Sequence, residues 1–261
     1  TWYTDDRDAS EFTIATAGQM QAFAALVNGD AVDVAGNPMN AVTFEGKTVK
    51  LANGVNLAFA GEFTPVGTKD NPFKGTFDGQ GNTVGGLTIT QGTSDIGLFG
   101  VTAEGSVLKG VVIDGSGSIK LTSDDAAFED VGSLVGECGG RIESCSSAAK
   151  VRIDHTKVDG IPGPVMKNIG GVAGSVKGSV SSTTFSGSLA AETPANAYKN
   201  AAGASVASVV ENVGGVTGRF GGSLSGCTNA GTLLVVTSGK SGVDRFGVAV
   251  DAKSLYVGGV G

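Results

Sequence analysis

The chain has 261 residues, with 18 Lys and Arg against 25 Asp and Glu, a formal charge of -7 and a pI near 4.7. An acidic balance without a basic patch argues against a general nucleic-acid binder. No 18-residue apolar run is present, which argues against insertion into a membrane as a helix.

The N-terminal part reads differently from the rest. Thr16-Ala17-Gly18-Gln19 fits a capping box with Thr16 as N-cap and Gln19 at N3, and Met20, Phe23, Ala24, Leu26 and Val27 then mark an apolar helix face ending near Asn28-Gly29. This helix, residues 16–29, is expected to be a lid over one end of a stack of strands, where unpaired edges otherwise invite association. Thr48 to Leu57, Thr64 to Val66 and Thr83 to Ile89 read as strands of the first irregular coils, with Phe73, Phe77 and Phe99 filling a wider core. Asp78-Gly79-Gln80-Gly81-Asn82 has oxygen donors suited to Ca²⁺ but no EF-hand spacing, and reads as a tight turn.

From residue 96 a Gly-containing apolar phrase returns: IGLFG at 96–100, VGSLVG at 131–136, IGGVAG at 169–174, VGGVTG at 213–218 and VGGVG at 257–261. Each of the first four is followed by a second element, from Gly105, Gly140, Gly178 and Gly222, and then by a third apolar pair or run. Segments this short, rich in Val, Ile, Ser and Thr, suit strands rather than helices. Three strands per unit is the simplest reading, giving an all-β stack of parallel β-helix coils, each burying its apolar side against the next. Leu98, Leu134, Val172, Val216 and Val260 form one expected inward column. Val107, Ile142, Val180 and Leu224 form a second, and Ile96, Val131, Ile169, Val213 and Val257 a third. The glycines are assigned to corners and close approaches, not to phosphate binding.

The extra length between units collects after the third element, at Asp124 to Asp130, Asp154 to Lys167, Ala191 to Glu211 and about Gly239 to Leu255. Inserts on one flank of a rigid solenoid make that flank the leading interaction site. Cys145 and Cys227 match in repeat position but lie two coils apart, too far to pair. Cys138 and Cys145 flank a Gly-Gly corner and either pair or lie as buried free thiols. Among the acids, Asp95, Asp114, Asp124, Asp125, Glu129, Asp130, Glu137 and Glu143, together with Lys109, Arg141 and Arg152, are the candidates for glycosidic acid–base chemistry. They form no clear repeated column, so no enzyme activity and no catalytic, cofactor-binding or metal-ligating residue is assigned. The only histidine, His155, falls in an expected loop.

The wording from Trp2 to Gly29, then FEGKTVKLANGVNLA (Phe44 to Ala58), FTPVGT (Phe63 to Thr68) and FKGTFDGQGNTVGGLTI (Phe73 to Ile89), resembles the start of bacterial surface proteins with GLUG-type repeats, and IGGVAG and VGGVTG resemble the GLUG motif itself. The resemblance implies a right-handed parallel β-helix, a pectin-lyase-like solenoid, in a large secreted or cell-wall-attached protein. Some relatives of this kind are adhesin-like and some are attached to immunoglobulin-cleaving metallopeptidases, whose HExxH motif is absent here. It further implies an extracellular, non-catalytic module that meets a host or matrix protein or glycan, and the neighbouring repeats or domains of a longer chain. The chain is expected to be one elongated domain over 1–261 and a fragment of such a protein.

Overall fold

The computed structural model describes residues 2–156, 165–193 and 210–237, and the strand segments at 242–243, 249–250 and 257–258. It is all-β apart from one helix among the described residues, and its main sheets are parallel. The repeat is visible as a period of five strands. In one period these are Phe128–Val131, Val135–Cys138, Arg141–Glu143, Ser146–Ser147 and Lys150–His155. Strands at one position of the period pair only with strands at the same position in the periods before and after, which yields five parallel sheets of four to seven strands. The arrangement is consistent with a β-helix-like solenoid.

Five strands replace the three expected because the chain bends inside the phrase and inside the second element. The first bend follows Val131. The second falls at Ser144, whose φ is 52°, with Ser182 at 48° and Gly110 and Gly226 at 60° and 61° in the equivalent places. A left-handed residue reverses the local course of the strand and starts a new one.

The phrase-initial column is in register as read: Val131 lies opposite Ile96 and Ile169, and Val213 opposite Ile169 and Val257. Leu98, Leu134, Val172 and Val216 are all buried, linked by backbone bonds from Leu134 to Val172 and from Val172 to Val216; Val260 lies outside the described residues. The second column is corrected at one position. Ile142 lies opposite Leu108, while Val107 lies opposite Arg141, so the column runs Phe12, Val49, Phe77, Leu108, Ile142, Val180, Leu224. Gly105 is equivalent to Gly139 rather than to Gly140, and a slip of one residue exchanges the two faces of a strand.

The helix spans Ala17–Asn28 with both halves of the capping box made, Gly29 left-handed beyond its end, and Met20, Phe23, Ala24, Leu26 and Val27 buried. Phe23 packs against Phe44, Phe73, Phe77 and Phe99 with centroids 5.1 to 6.4 Å apart. Rings of this size bury enough area to dominate the local packing. Thr64 to Val66 forms no strand; Val66 makes one isolated bridge to Phe99. Thr48 to Leu57 and Thr83 to Ile89 are each split into two short strands.

Candidate functional site

Immediately before the first four phrases stand Asp95, Asp130, Asn168 and Asn212, and all four have φ between 56° and 58°. Asp and Asn tolerate this left-handed geometry better than other residues with a Cβ. Each interrupts its strand between two in-register neighbours, so the four stack in one column. The glycine ending the phrase is fixed by this column. A Cβ on Gly136 would lie 2.5 Å from the carbonyl carbon of Asp95, and one on Gly174 would lie 2.5 Å from that of Asp130; Gly218 abuts Asn168 in the same way. The recurring phrase is therefore a steric pair, an Asx residue in one period and a bare glycine in the next.

Side chains of the column bond along the stack. Asn212 Nδ2 donates to Asn168 Oδ1 at 2.8 Å, and Asn168 Nδ2 donates to Asp130 Oδ1 at 2.9 Å. Beyond Asp130 the column reaches Asp95, and Glu137 on the adjoining strand joins them, with one carboxylate oxygen of each within 4.8 Å of the others. Lys69 contacts Asp95 at 3.5 Å and Glu137 at 3.4 Å, and Lys177 pairs with Glu137. Burial pushes the Asp95 carboxyl up, opposed by Lys69 and reinforced by Asp130 and Glu137. Burial also pushes Asp130 up, opposed by hydrogen bonds from Asn168 and Ser175. For Glu137 burial acts upward too, but Lys177 and Lys69 outweigh it and hold the group below its ordinary value. Partial burial lowers Lys69, and the three carboxylates more than restore it.

Asp95 Oδ1 is buried and has no hydrogen-bond partner among the described residues. Its contact is the Lys69 ammonium at 3.5 Å, an ion pair at the outer limit of hydrogen-bond distance that pulls the Asp95 carboxyl down. Three close carboxylates are a donor set that hard cations use; here the Lys69 ammonium supplies positive charge to two of them. A groove of about 690 Å³ adjoins the cluster, lined by Glu104, Glu137, Gly140, Arg141 and Lys177 among others.

The other weighed residues are dispersed. Glu143 pairs with Arg141 and does not share the groove with Glu137. Glu129 pairs with Lys167 at 2.9 Å, Lys109 with Asp78 at 3.2 Å, and Arg152 with Asp154 and Glu192. Asp114 bonds Ser116 and Asp125 bonds Ser123. In the Asp78 to Asn82 segment Asp78 accepts from the Gln80 N–H, and Gln80 and Gly81 are left-handed, a tight turn. His155 is in a strand rather than a loop, buried, with Nε2 2.8 Å from the Ala126 carbonyl. All three cysteines are free, Cys138 and Cys145 buried.

Lys69, Lys177, Asn168 and Asn212 escaped the reading of the sequence, as did the in-register stacking of Asp95 on Asp130. The signal for the column was the Asx residue preceding four successive phrases. Nothing in sequence marks Lys69, which reaches the cluster from an irregular segment. A second cavity, about 600 Å³, lies beside the helix, lined by Trp2, Leu26, Val32, Val34 and Met39 among others.

The long inserts after His155 and after Thr193 both join a fifth-position strand to the first-position strand of the next period; at the same junction after Ser123 the expected insert shrinks to four connecting residues, 124–127, because Phe128–Val131 is a strand. Residues 157–164, 194–209 and most of 238–256 lie outside the described residues. No helix among the described residues is long and apolar enough to cross a membrane. Comparison with protein-family models, curated proteins and solved structures finds no match to this chain.

Proposed function

We propose that the chain is a non-catalytic, adhesin-like module of an extracellular, secreted or wall-attached protein, a right-handed parallel β-helix with its helix as a lid, binding a host or matrix protein or glycan through loops on one flank. One observation carries the binding part: in the regular periods from Ser94 to Thr237 the two long connections, after His155 and after Thr193, fall at the same junction of the period, while the other connections between strands are short. Rigid sheets under variable loops are the common plan of recognition surfaces. The lid role is supported by the burial of Phe23 and its neighbours over the aromatic cluster at the first strands. The extracellular setting, the handedness and the GLUG kinship rest on the resemblance of the phrases and the N-terminal segment.

The test replaces residues 194–209 by a short Gly-Ser link and screens the unmodified and altered chains against matrix proteins and a glycan array. Saturable binding lost on replacement, with the far-UV dichroism unchanged, is the expected result. Binding that survives the replacement removes this loop from the site. A passive stalk is the second reading, favoured by in-register columns that continue from period to period. It expects no saturable binding by either chain and an elongated scattering profile.

A further inference from the structure

The Asx column has a direction. Each amide donates toward the N-terminal end of the stack, Asn212 to Asn168 and Asn168 to Asp130. Asp130 stands where the next donor belongs, yet an ionised carboxylate only accepts. The atom that this donor would serve is in the side chain of Asp95, directly beneath Asp130 in register, and Asp95 Oδ1 is the buried oxygen left without a hydrogen-bond partner. The missing link of the ladder therefore coincides with an acceptor whose contact is the Lys69 ammonium at 3.5 Å rather than a hydrogen bond along the stack. A second count agrees: the cluster holds three carboxylates, Asp95, Asp130 and Glu137, against two ammonium groups, Lys69 and Lys177. One added proton makes it neutral.

We propose that Asp95 and Asp130 hold one proton between them, carried by Asp130 and donated to Asp95 Oδ1, so that this step of the column is a pH-sensitive clasp between two periods of the sheet. With the proton in place the ladder runs unbroken from Asn212 to Asp95. Without it, two like charges face each other in a site where Asp130 is only 4 % exposed, and close carboxylates out of water do not both ionise readily. The groups facing the pair are Lys69 from the N-terminal segment, Glu129 on the strand of Asp130, Lys167 beside Asn168, Glu137 on the adjoining strand, and Lys177, which faces Glu137. Lys167 is drawn to Glu129 and Lys177 to Glu137. Lys69 alone directly offsets the pair, in contact with Asp95 and by longer-range attraction to Asp130. Burial raises both aspartates in the direction the clasp requires. A raised value in the folded state means that the stabilising contribution is complete at low pH and is lost as pH rises through that value.

The experiment uses the whole chain. Side-chain carboxyl ¹³C resonances, assigned through the backbone, are followed against pH in the unaltered protein. Asp130 is expected to titrate above an ordinary aspartate, as its burial requires. Titration at or below the ordinary value overturns the proposal. In Asp130→Asn the amide supplies permanently what the proton supplies conditionally, so the unfolding midpoint at pH 8 is expected to rise and the difference from the unaltered chain to shrink toward pH 4. A midpoint at pH 8 that falls or stays unchanged overturns the clasp. Should Asp130→Asn not fold, the titration of the unaltered chain decides alone.

Discussion

Replacing Gly174 by Ala tests the steric pairing that explains the repeated phrase. The added Cβ would lie 2.5 Å from both the carbonyl carbon of Asp130 and the amide nitrogen of Val131, which are backbone atoms unable to rotate away. Ordinary contact begins at 3.4 Å, so the two periods must part by about 0.9 Å. The Asn168 to Asp130 bond, 2.9 Å long, stretches out of range with that movement. Overpacking against backbone atoms that cannot turn aside falls at the upper end of about 1–3 kcal/mol and the strained hydrogen bond adds about 1 kcal/mol, so the total is about 4 kcal/mol. For a chain of this size that lowers the thermal midpoint by about 8–16 °C. Gly105→Ala is the control: φ there is +81°, but a Cβ would meet nothing within 4 Å. Its cost is the left-handed conformation alone, about 1 kcal/mol, or about 2–4 °C. Thermal unfolding followed by circular dichroism separates the two. If Gly174→Ala melts within about 3 °C of Gly105→Ala, the Asx–glycine coupling is wrong.

Three further outcomes are expected. Thr16→Ala removes the hydroxyl that accepts from the Gln19 N–H at 3.1 Å and should cost about 1 kcal/mol, read from the denaturation midpoint. Leu134→Ala, in a fully buried column, should cost about 2–5 kcal/mol, and a smaller loss would mean that neighbouring periods close over the cavity. In native protein an aromatic disulfide reagent should label Cys227 first, because Cys138 and Cys145 are buried and burial pushes the Cys145 thiol up to about 12. Early loss of all three thiols would contradict that burial.

The parts of the fold legible in sequence are those fixed by local chemistry or strict recurrence. The helix could be read because Thr16, Gln19 and the face from Met20 to Val27 are local signals, and the column from Ile96 to Val257 because it sits at a constant place in the phrase. The error at Val107 came from aligning Gly105 with Gly140, since glycine recurs too often here to fix a register alone. The count of three strands failed because the left-handed residue that divides the second element is a glycine in only two periods, Gly110 and Gly226, and a serine in the others, Ser144 and Ser182. The acid cluster was half legible. Asp95, Asp130 and Glu137 stand out among the acids of the sequence no more than the others, and stacking alone sets Glu137 against residues 42 and 7 positions earlier, Asp95 and Asp130. Contacts between periods depend on register, and register here depends on which residues are left-handed.

The opposite signs of the perturbed carboxyls place the pH of greatest stability. Glu137 is held below its ordinary 4.5 chiefly because Lys177 and Lys69 overcome its burial. Its contribution is therefore present above 4.5 and is lost as pH falls toward the lowered value. Asp95 and Asp130 are raised above 3.8, and their contribution is present below 3.8 and lost as pH climbs through the raised values. The cluster thus pulls the maximum toward the mildly acidic region between the two losses. Lys177→Met tests the Glu137 limb alone, because Lys177 contacts Glu137 and is not a partner of Asp95 or Asp130. Deprived of that ammonium, Glu137 should rise toward its ordinary value, so the fall in unfolding midpoint on the acid side should become shallower and end at a higher pH while the alkaline limb keeps its position. An alkaline limb that moves with Lys177→Met would mean that the three carboxyls titrate as one unit, and that the proton ascribed to Asp130 is shared with Glu137 as well.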